Sequence, residues 1–217
     1  MLVRDQMTHN PVTVPSTTSV ADGLALMREK KIRRLLVSDV QGKLVGIVSE
    51  KDLLYASPSP TTSLSVYEIP YLLSKLTLDK VMTRKVLSVT EDSLLEDAAK
   101  LMADRKIGGL PVLRDGVIVG IITETDIFRT FLKLLGGRAK GVRVTAAIAG
   151  EKGTLAKITR AVSAAGGDIV GLGATDTSSP SGAVSWELAL KVQGLTKDNV
   201  ATLLKPLVVE ITDIRES

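Results

Sequence analysis

The chain has 217 residues, of which 44% are hydrophobic and only 3% aromatic, so its cores are expected to be aliphatic, and its formal charge of +4 is too small to indicate a nucleic-acid-binding protein by itself. Because it has no Cys and a single His, disulfides and thiolate metal sites are excluded, and we expect neither a metal site nor a catalytic one. The sequence shows neither an apolar run long enough to span a membrane nor the apolar stretch of a signal peptide, so a cytoplasmic protein is expected.

The first 57 residues carry the pattern of a β-α-β-β-α unit. Val20, Leu24 and Met27 recur at i, i+4 and i+7, which is one face of a helix. The elements predicted around this helix are a short extended run at 11–14, strands at 33–38 and 44–49, and a last helix that begins near residue 49.

Residues 58–77 are predicted to link this unit to the next. The sequence SPSP at 57–60 is incompatible with a helix. Apolar residues at helical spacing follow it, and Pro70 is expected to kink or interrupt the short helix that they form.

Residues 78–135 repeat the first unit. Met7-Thr8 matches Met82-Thr83 at a shift of 75 residues, and GIVSEKD (46–52) matches GIITETD (120–126) at a shift of 74. A unit of this size buries too little surface to be stable alone, so the two copies are expected to pack together.

The second copy has the same predicted elements as the first. Its helix follows from Leu95, Ala99 and Met102, and Ser93 with Glu96 is expected to form a capping box at the helix start. The predicted strands are at 86–89, 110–114 and 117–123, and the last helix begins near residue 123.

The repeated phrase contains Ser49-x-x-Asp52 in the first copy and Thr123-x-x-Asp126 in the second. A hydroxyl residue and an acid at this spacing cap the start of a helix, which is a purely structural role. The same geometry also suits a nucleotide, because N–H groups at a helix start attract an anion and a carboxylate one turn later can accept from both ribose hydroxyls. The two roles are compatible, since the hydroxyl can cap the helix when no ligand is bound.

A bound base would also need close backbone and apolar walls. Gly46 and Gly120 are expected to let the backbone approach a flat base. The walls expected in the two copies are Val12, Leu36 and Ile47 in the first, and Leu87, Pro111 and Ile121 in the second.

The two copies differ at one pair of neighbouring positions. Arg33-Arg34 in the first copy corresponds to Gly108-Gly109 in the second. Arginine beside a nucleotide cleft can pair with phosphate through two hydrogen bonds, whereas at an exposed helix exit it would only complement the helix dipole. The sequence leaves both interpretations open.

The C-terminal third has a different pattern. After a basic, glycine-containing hinge at 136–141, residues 142–217 predict the order β-α-β-β-α-β, the ferredoxin-like split unit. Trp186 lies on the alternating face of its third strand, where core packing is expected rather than ligand stacking. The whole chain is therefore predicted to be an α/β (α+β) protein with two repeats and a further domain.

The doubled unit resembles a tandem pair of CBS domains, the cystathionine-β-synthase-type repeats of a Bateman module. The resemblance covers residues 1–135 and rests on the two copies of the glycine-to-aspartate phrase. It implies that AMP, ADP or ATP, or an adenosyl compound such as S-adenosylmethionine, binds between the halves as a regulatory ligand, with no catalysis. The nucleotide-binding residues that it implies are Ser49 and Asp52 for one ribose, Thr123 and Asp126 for the other, and Thr13 and Ser88 on the first strands.

Residues 142–217 resemble an ACT domain. The residues that carry this resemblance are Gly153, Thr154 and Leu155 at the entry to the first helix, which form a candidate ligand loop. The family's D-x-P-G loop is degraded here, because Glu151-Lys152-Gly153 lacks the proline and has Glu for Asp. The loop either binds an amino acid or belongs to a dimerisation sheet with an empty site. The combination of modules resembles the acetoin-utilisation type of CBS–ACT protein.

These patterns predict a non-enzymatic sensor that relays the state of a bound adenine nucleotide to the ACT-like domain or to an unknown effector protein. A homodimer is expected, because both families tend to assemble symmetrically. Two alternatives remain: a ligand-free interaction scaffold, and a nucleic-acid binder that uses the basic run at 28–34.

Overall fold

The computed structural model describes residues 1–56, 68–178 and 184–217. The SPSP sequence at 57–60 lies outside the described residues. The chain forms two compact units, Met1–Ile127 and Phe128–Ser217. No helix among the described residues is long and apolar enough to cross a membrane.

The first unit contains the doubled order of elements that the sequence predicts. Its elements are a 3-10 turn at Val3–Asp5, β1 (Thr8–His9), β2 (Thr13–Pro15), α1 (Val20–Lys30), β3 (Arg34–Ser38), β4 (Leu44–Ser49), α2 (Glu50–Tyr55), α3 (Glu68–Lys75), a 3-10 turn at Leu78–Lys80, β5 (Val89–Thr90), α4 (Leu95–Arg105), β6 (Gly109–Arg114), β7 (Val117–Thr123) and the beginning of α5 (Glu124–Leu134). The mixed α/β architecture with two repeats is thus confirmed.

Each repeat has its own small sheet. The first has the strand order β2-β3-β4, in which β2 and β3 are parallel and β3 and β4 antiparallel. The second has the order β1-β7-β6-β5, so strand β1, from the start of the chain, joins the sheet of the second repeat.

The segments that open the two repeats are exchanged. Val3 and Met7 pack in the core of the second repeat, and Leu78 and Met82 pack in the core of the first. The backbone follows the side chains, because Val3 N donates to Ser93 O at 3.0 Å and Leu78 N donates to Thr18 O at 2.9 Å. Each hydrophobic core is therefore completed by residues that lie next to the other repeat in sequence.

The start of α4 differs from the prediction. The helix begins at Leu95 with Leu94 as its N-cap, and no side chain caps it. Ser93 Oγ instead accepts from Thr90 N at 3.1 Å in the preceding turn. The predicted Ser93–Glu96 capping box is therefore wrong, and its physical reason is the exchanged segment: the N–H of Leu95 donates to Met1 O at 2.9 Å.

Helix α3 accommodates its proline without a break. Pro70 is the third residue of this helix, within the first turn, where backbone N–H groups have no partner inside the helix in any case. The predicted kink is therefore not required, and α3 runs as one helix from Glu68 to Lys75.

The second unit has the element order β-α-β-β-α-β. After the remainder of α5, its elements are β8 (Val142–Ala149), α6 (Thr154–Ala164), β9 (Asp168–Ser178), β10 (Val184–Gln193), α7 (Lys197–Leu204) and β11 (Glu210–Glu216). The four strands form an antiparallel sheet in the order β11-β8-β10-β9. Both helices pack on this sheet, since their buried residues share one core with those of β8 and β10.

The predicted hinge at 136–141 lies within the second unit. A Cβ on the buried Gly136 would stand 2.8 Å from Val170 O, so this backbone runs close to β9. Gly141 and Ser217 exchange a pair of backbone hydrogen bonds at 2.9 and 3.0 Å. These contacts fix both ends of the segment to the rest of the second unit.

Candidate functional site

A cleft of about 530 Å³ lies in the first unit, between the start of α2 and the entry to the second repeat. Its lining combines three stretches of the chain that are distant in sequence. These residues are Arg33, Arg34, Ile47 and Ser49–Asp52 from the first repeat, Thr83 and Lys85–Leu87 from the second repeat's opening, and Lys106–Gly109 from the turn between α4 and β6.

Ser49 and Asp52 form a reciprocal cap at the edge of this cleft. Asp52 N donates to Ser49 Oγ at 3.2 Å, and Ser49 N donates to Asp52 Oδ2 at 2.8 Å. The hydroxyl of Ser49 also donates to Asp52 Oδ2 at 2.7 Å. The structural role considered for this motif is therefore present, and the helix-start N–H groups that were expected to attract an anion are already partly satisfied by the protein.

This arrangement leaves one carboxylate oxygen available to a ligand. Both hydrogen bonds that the Asp52 carboxylate accepts use Oδ2, and no described residue donates to its Oδ1. Asp52 is half-buried and lines the cleft. A half-buried carboxylate held in one orientation can accept hydrogen bonds from a pair of neighbouring hydroxyl groups.

The apolar walls are assembled from both repeats. Of the walls expected in the first copy, Ile47 lines the cleft, and of those expected in the second copy, Leu87 does. Val12 packs against the core of the first repeat, while Leu36 and Pro111 are buried. The backbones of Ile47 and Thr83 exchange hydrogen bonds at 3.0 and 3.1 Å. These bonds hold the first-repeat strand that carries Ile47 beside the second-repeat segment that leads to Leu87.

Gly46 and Gly120 accommodate methionine side chains. A Cβ on Gly46 would overlap the sulfur of Met82 and stand 3.0 Å from its Cγ. A Cβ on Gly120 would overlap the sulfur of Met7 and stand 3.1 Å from its Cγ. The structure thus gives these two glycines a packing role, in place of the expected approach to a flat base.

The two arginines of the first repeat reach toward the second. Arg34 lies over the positions that lack side chains there: a Cβ on Gly108 would overlap its Nη2, and a Cβ on Gly109 would stand 3.3 Å from its Cδ. Burial, followed by the charge of Arg33, lowers the pKa of Arg34, and the carboxylates of Glu124 and Asp52 oppose that shift. The glycines of the second copy therefore make room for an arginine of the first.

Arg33 contacts the helix start of the second copy. Its Nη2 lies 3.5 Å from Thr125 Oγ1, a long hydrogen bond. In this copy Thr123 N and Thr123 Oγ1 donate to Asp126 Oδ2 at 3.0 and 2.6 Å, and Asp126 is buried. The second motif therefore repeats the two hydrogen bonds that the first motif makes to its Asp carboxylate, but this carboxylate is less exposed.

The remaining predicted residues lie away from this lining. Thr13 is exposed on β2, opposite Leu36 of β3, and Ser88 is exposed between the cleft residue Leu87 and β5. Thr123 and Asp126 are likewise outside the lining of the cleft. For these four residues a role in ligand binding stays a prediction.

The structure adds cleft residues that the sequence patterns do not single out. They are Thr83, Lys51, Lys85, Lys106 and the apolar pair Val86 and Ile107. The match between Met7-Thr8 and Met82-Thr83 is the one signal that points to Thr83. The lysines stand in turns or at a helix start, where no periodicity marks them.

A smaller cavity of about 190 Å³ lies in the second unit, at the candidate ligand loop. Gly153, Thr154 and Leu155 line it together with Trp186, whose side chain is 37% exposed. The expectation that Trp186 packs in the core is therefore wrong: the core face of β10 begins at Leu188, and Trp186 stands beyond it. Thr154 Oγ1 donates to Glu151 O at 3.0 Å and so braces the loop.

A metal site is not formed in the described part of the chain. No group of three or more His, Asp or Glu side chains there has the arrangement of a metal site. The chemistry that the first unit offers is instead hydrogen bonding from Ser49 and Asp52, apolar contact and a surplus of positive charge.

Comparison with known proteins assigns the doubled part of the chain to a family. The family model described as CBS domain matches residues 3–59 and 78–133. The inosine-5'-monophosphate dehydrogenase of Nitrosopumilus maritimus is 32% identical over 166 residues, which cover 76% of this chain and 32% of that enzyme. The chain spans about a third or less of the length of several curated relatives that it matches.

Two solved structures resemble about two thirds of this chain. The acetoin utilization protein AcuB of Vibrio cholerae is 36% identical with a TM-score of 0.53, and the match covers 64% of this chain and 95% of that one. The CBS domain pair of protein MJ0100, solved with 5'-methylthioadenosine and S-adenosyl-L-methionine, is 31% identical with a TM-score of 0.52, and the match covers 64% of this chain and 98% of that one.

Proposed function

The chain belongs to the CBS-domain family, and from that premise we propose that it is a non-enzymatic regulatory protein whose first unit binds an adenine nucleotide or adenosyl compound in the cleft beside Ser49 and Asp52. The observation that carries the proposal is the half-buried Asp52, held by Ser49 through Oδ2 with Oδ1 left for a ligand.

The lining of the cleft supports a nucleoside ligand. The carboxylate of Asp52 suits the paired hydroxyls of a ribose, and the apolar side chains of Ile47, Val86 and Leu87 suit the faces of a base. The CBS domain pair of MJ0100, which is 31% identical, was solved with two adenosyl compounds. Thr123 and Asp126 are proposed to serve a second ribose, as the duplicated motif suggests.

Calorimetric titration with adenosine, AMP, ATP and S-adenosylmethionine tests this proposal, using protein shown to be free of bound nucleotide. The Asp52→Ala variant is expected to bind the compound that the parent binds at least about tenfold more weakly, because hydrogen bonds to a charged group are lost.

The chain offers a matched control for this variant. Ser19 and Asp22 form the same kind of cap at the start of α1, with Asp22 N donating to Ser19 Oγ at 3.0 Å, but they do not line the cleft. Asp22→Ala removes a comparable cap and should leave the affinity unchanged. A parent protein that binds none of the four compounds, or an Asp52→Ala variant with parental affinity, refutes the proposed function.

We further propose that the regulatory signal passes to the second unit, which we take to be ACT-like, or to an effector protein, and that the protein acts in the cytoplasm as a homodimer. Exposed apolar side chains at Leu54 and Tyr55 on α2, and at Phe128 and Phe131 on α5, support a protein–protein contact. Sedimentation equilibrium measures the assembly state directly.

The basic run at 28–34 favours the nucleotide over a nucleic acid. Two of its cations, Arg33 and Arg34, line the cleft, and Lys30 pairs with Glu29 at 2.8 Å. The ligand-free scaffold is the outcome of the titration in which no compound binds.

A further inference from the structure

The cleft in the first unit is strongly cationic. Five basic side chains line it, against two acidic ones. The basic residues are Arg33, Arg34, Lys51, Lys85 and Lys106, and the acidic residues are Glu50 and Asp52. A concave site with one dominant sign of charge concentrates ligands of the opposite sign.

The protein's own acids leave much of this charge uncompensated. The Asp52 carboxylate accepts hydrogen bonds from Ser49. Asp52 and Glu124 both interact electrostatically with the guanidinium of Arg34. In the described part of the chain, neither Lys85 nor Lys106 has an ion pair or a side-chain hydrogen bond. Lys51 has only a ring contact, with its Nζ 5.3 Å from the centroid of Tyr55.

Lys106 has an unusual backbone for a lysine. It is the C-cap of α4 with φ of 53°, in the left-handed region where glycine is the favoured residue. Its equivalent in the first repeat, Lys31, is the C-cap of α1 with the same φ of 53°. Lys106 lines the cleft and Lys31 does not.

Helix α2 does not supply an anion site. It has only six residues, and the Ser49–Asp52 cap already satisfies N–H groups at its start. An anionic group in the cleft is therefore left to the basic side chains rather than to the helix dipole.

We propose that the cleft takes a nucleoside di- or triphosphate in preference to uncharged or cationic adenosyl compounds, with the phosphate chain held by Lys51, Lys85 and Lys106. The inference rests on the proposed function, since the base and ribose are placed by Ile47 and Asp52. It separates this chain from the MJ0100 pair, which was solved with one uncharged and one cationic adenosyl compound.

The first test is a ligand series on the parent protein at constant pH. ATP and ADP should bind at least about tenfold more tightly than adenosine, and S-adenosylmethionine should bind most weakly. The affinity for ATP should fall as salt is added, while that for adenosine stays nearly constant, because only the former depends on charge.

The second test is a matched pair of variants. Lys106→Gly should weaken ATP binding by roughly tenfold and leave adenosine binding unchanged, because one charged contact to the phosphates is lost. Lys31→Gly should change neither affinity. Glycine adopts a positive φ without steric cost, so both variants keep the helix end that they alter.

The outcomes separate this inference from the function on which it rests. Equal affinities for adenosine and ATP, or tighter binding of S-adenosylmethionine, would overturn the phosphate preference while keeping an adenosyl-binding protein. Equal losses of ATP affinity in the two glycine variants would also overturn it, since the effect would then be general attraction. Binding of no adenine compound at all removes the proposed function itself.

Discussion

At the scale of single residues, the repeated motif at 46–52 and 120–126 has two structural roles. Its hydroxyl and acid form the cap that the spacing of Ser49 and Asp52 predicts, because a cap is a local structure that sequence alone specifies. The reason for the glycine in the phrase cannot be seen in the sequence, because it depends on tertiary contacts. Gly46 faces Met82 and Gly120 faces Met7, and the partners in both contacts are far apart in the sequence.

The same limit applies to the cleft. Arg33, Arg34 and Asp52 could be proposed from motifs and from differences between the copies, and they line one cavity. Lys85 and Lys106 could not, because a lysine in a turn is ordinarily a solvated side chain, and only the folded chain brings these two together.

Gly120→Ala is expected to lower the free energy of unfolding by about 1–3 kcal/mol, because the new methyl group overlaps the sulfur of the buried Met7. Urea denaturation measures the loss. The position has no positive φ that would penalise alanine, so the contact with Met7 is the cause under test.

A double-mutant cycle checks that cause. Met7→Ala alone should also destabilise the protein, because it leaves a cavity, but in its presence Gly120→Ala should cost much less than in the parent. Strictly additive losses would contradict the assignment of Gly120 to methionine packing.

At the scale of elements, periodicity predicted most helices and strands of the described chain. The i, i+4, i+7 pattern of Val20, Leu24 and Met27 lies in α1, and the strand runs at 33–38 and 44–49 contain β3 and β4. These features are set by neighbouring residues. The exchange of opening segments is set by pairing at a distance of about one repeat, so no local pattern reveals it.

The exchange of opening segments predicts which repeat a core substitution destabilises. Leu78 is the first residue of the second repeat in sequence but is fully buried in the first core. Leu78→Ala should therefore open the amides of β3 and β4 to hydrogen exchange sooner than those of β6 and β7. The total loss should be about 2–5 kcal/mol.

Val3→Ala is the mirror-image control. Val3 is fully buried in the second core, so its truncation should expose β6 and β7 first, with a smaller total loss because fewer carbon atoms are removed than in Leu78→Ala. If each variant opened the repeat that follows it in sequence, the exchange would be wrong.

At the scale of the whole molecule, the residues that the structure describes form three separate hydrophobic cores. Two belong to the repeats of the first unit, and the third belongs to the second unit, where Ile158 and Val162 of α6 meet the sheet. The order β-α-β-β-α-β of that unit was predictable from alternation and glycine positions. The location of Trp186 was not predictable. The alternation of apolar and polar residues indicates which face of a strand a residue lies on, but not where along the strand the core ends.

Separate cores predict separate stabilities. Ile158→Ala, at a fully buried position, should destabilise the second unit by about 2–5 kcal/mol and leave ATP affinity of the first unit unchanged at temperatures where both units are folded. Calorimetric melting combined with titration measures both quantities. A parallel loss of affinity would contradict the separation of the cores.

The exchanged opening segments also bear on how such a chain could arise. A polypeptide with a single copy would carry an opening segment that its own core does not use and would lack the one that its core requires. Two such polypeptides could satisfy each other by trading these segments, so the ancestral form is expected to be an intertwined pair rather than a free-standing monomer. Gene duplication and fusion would then have joined partners that already depended on one another.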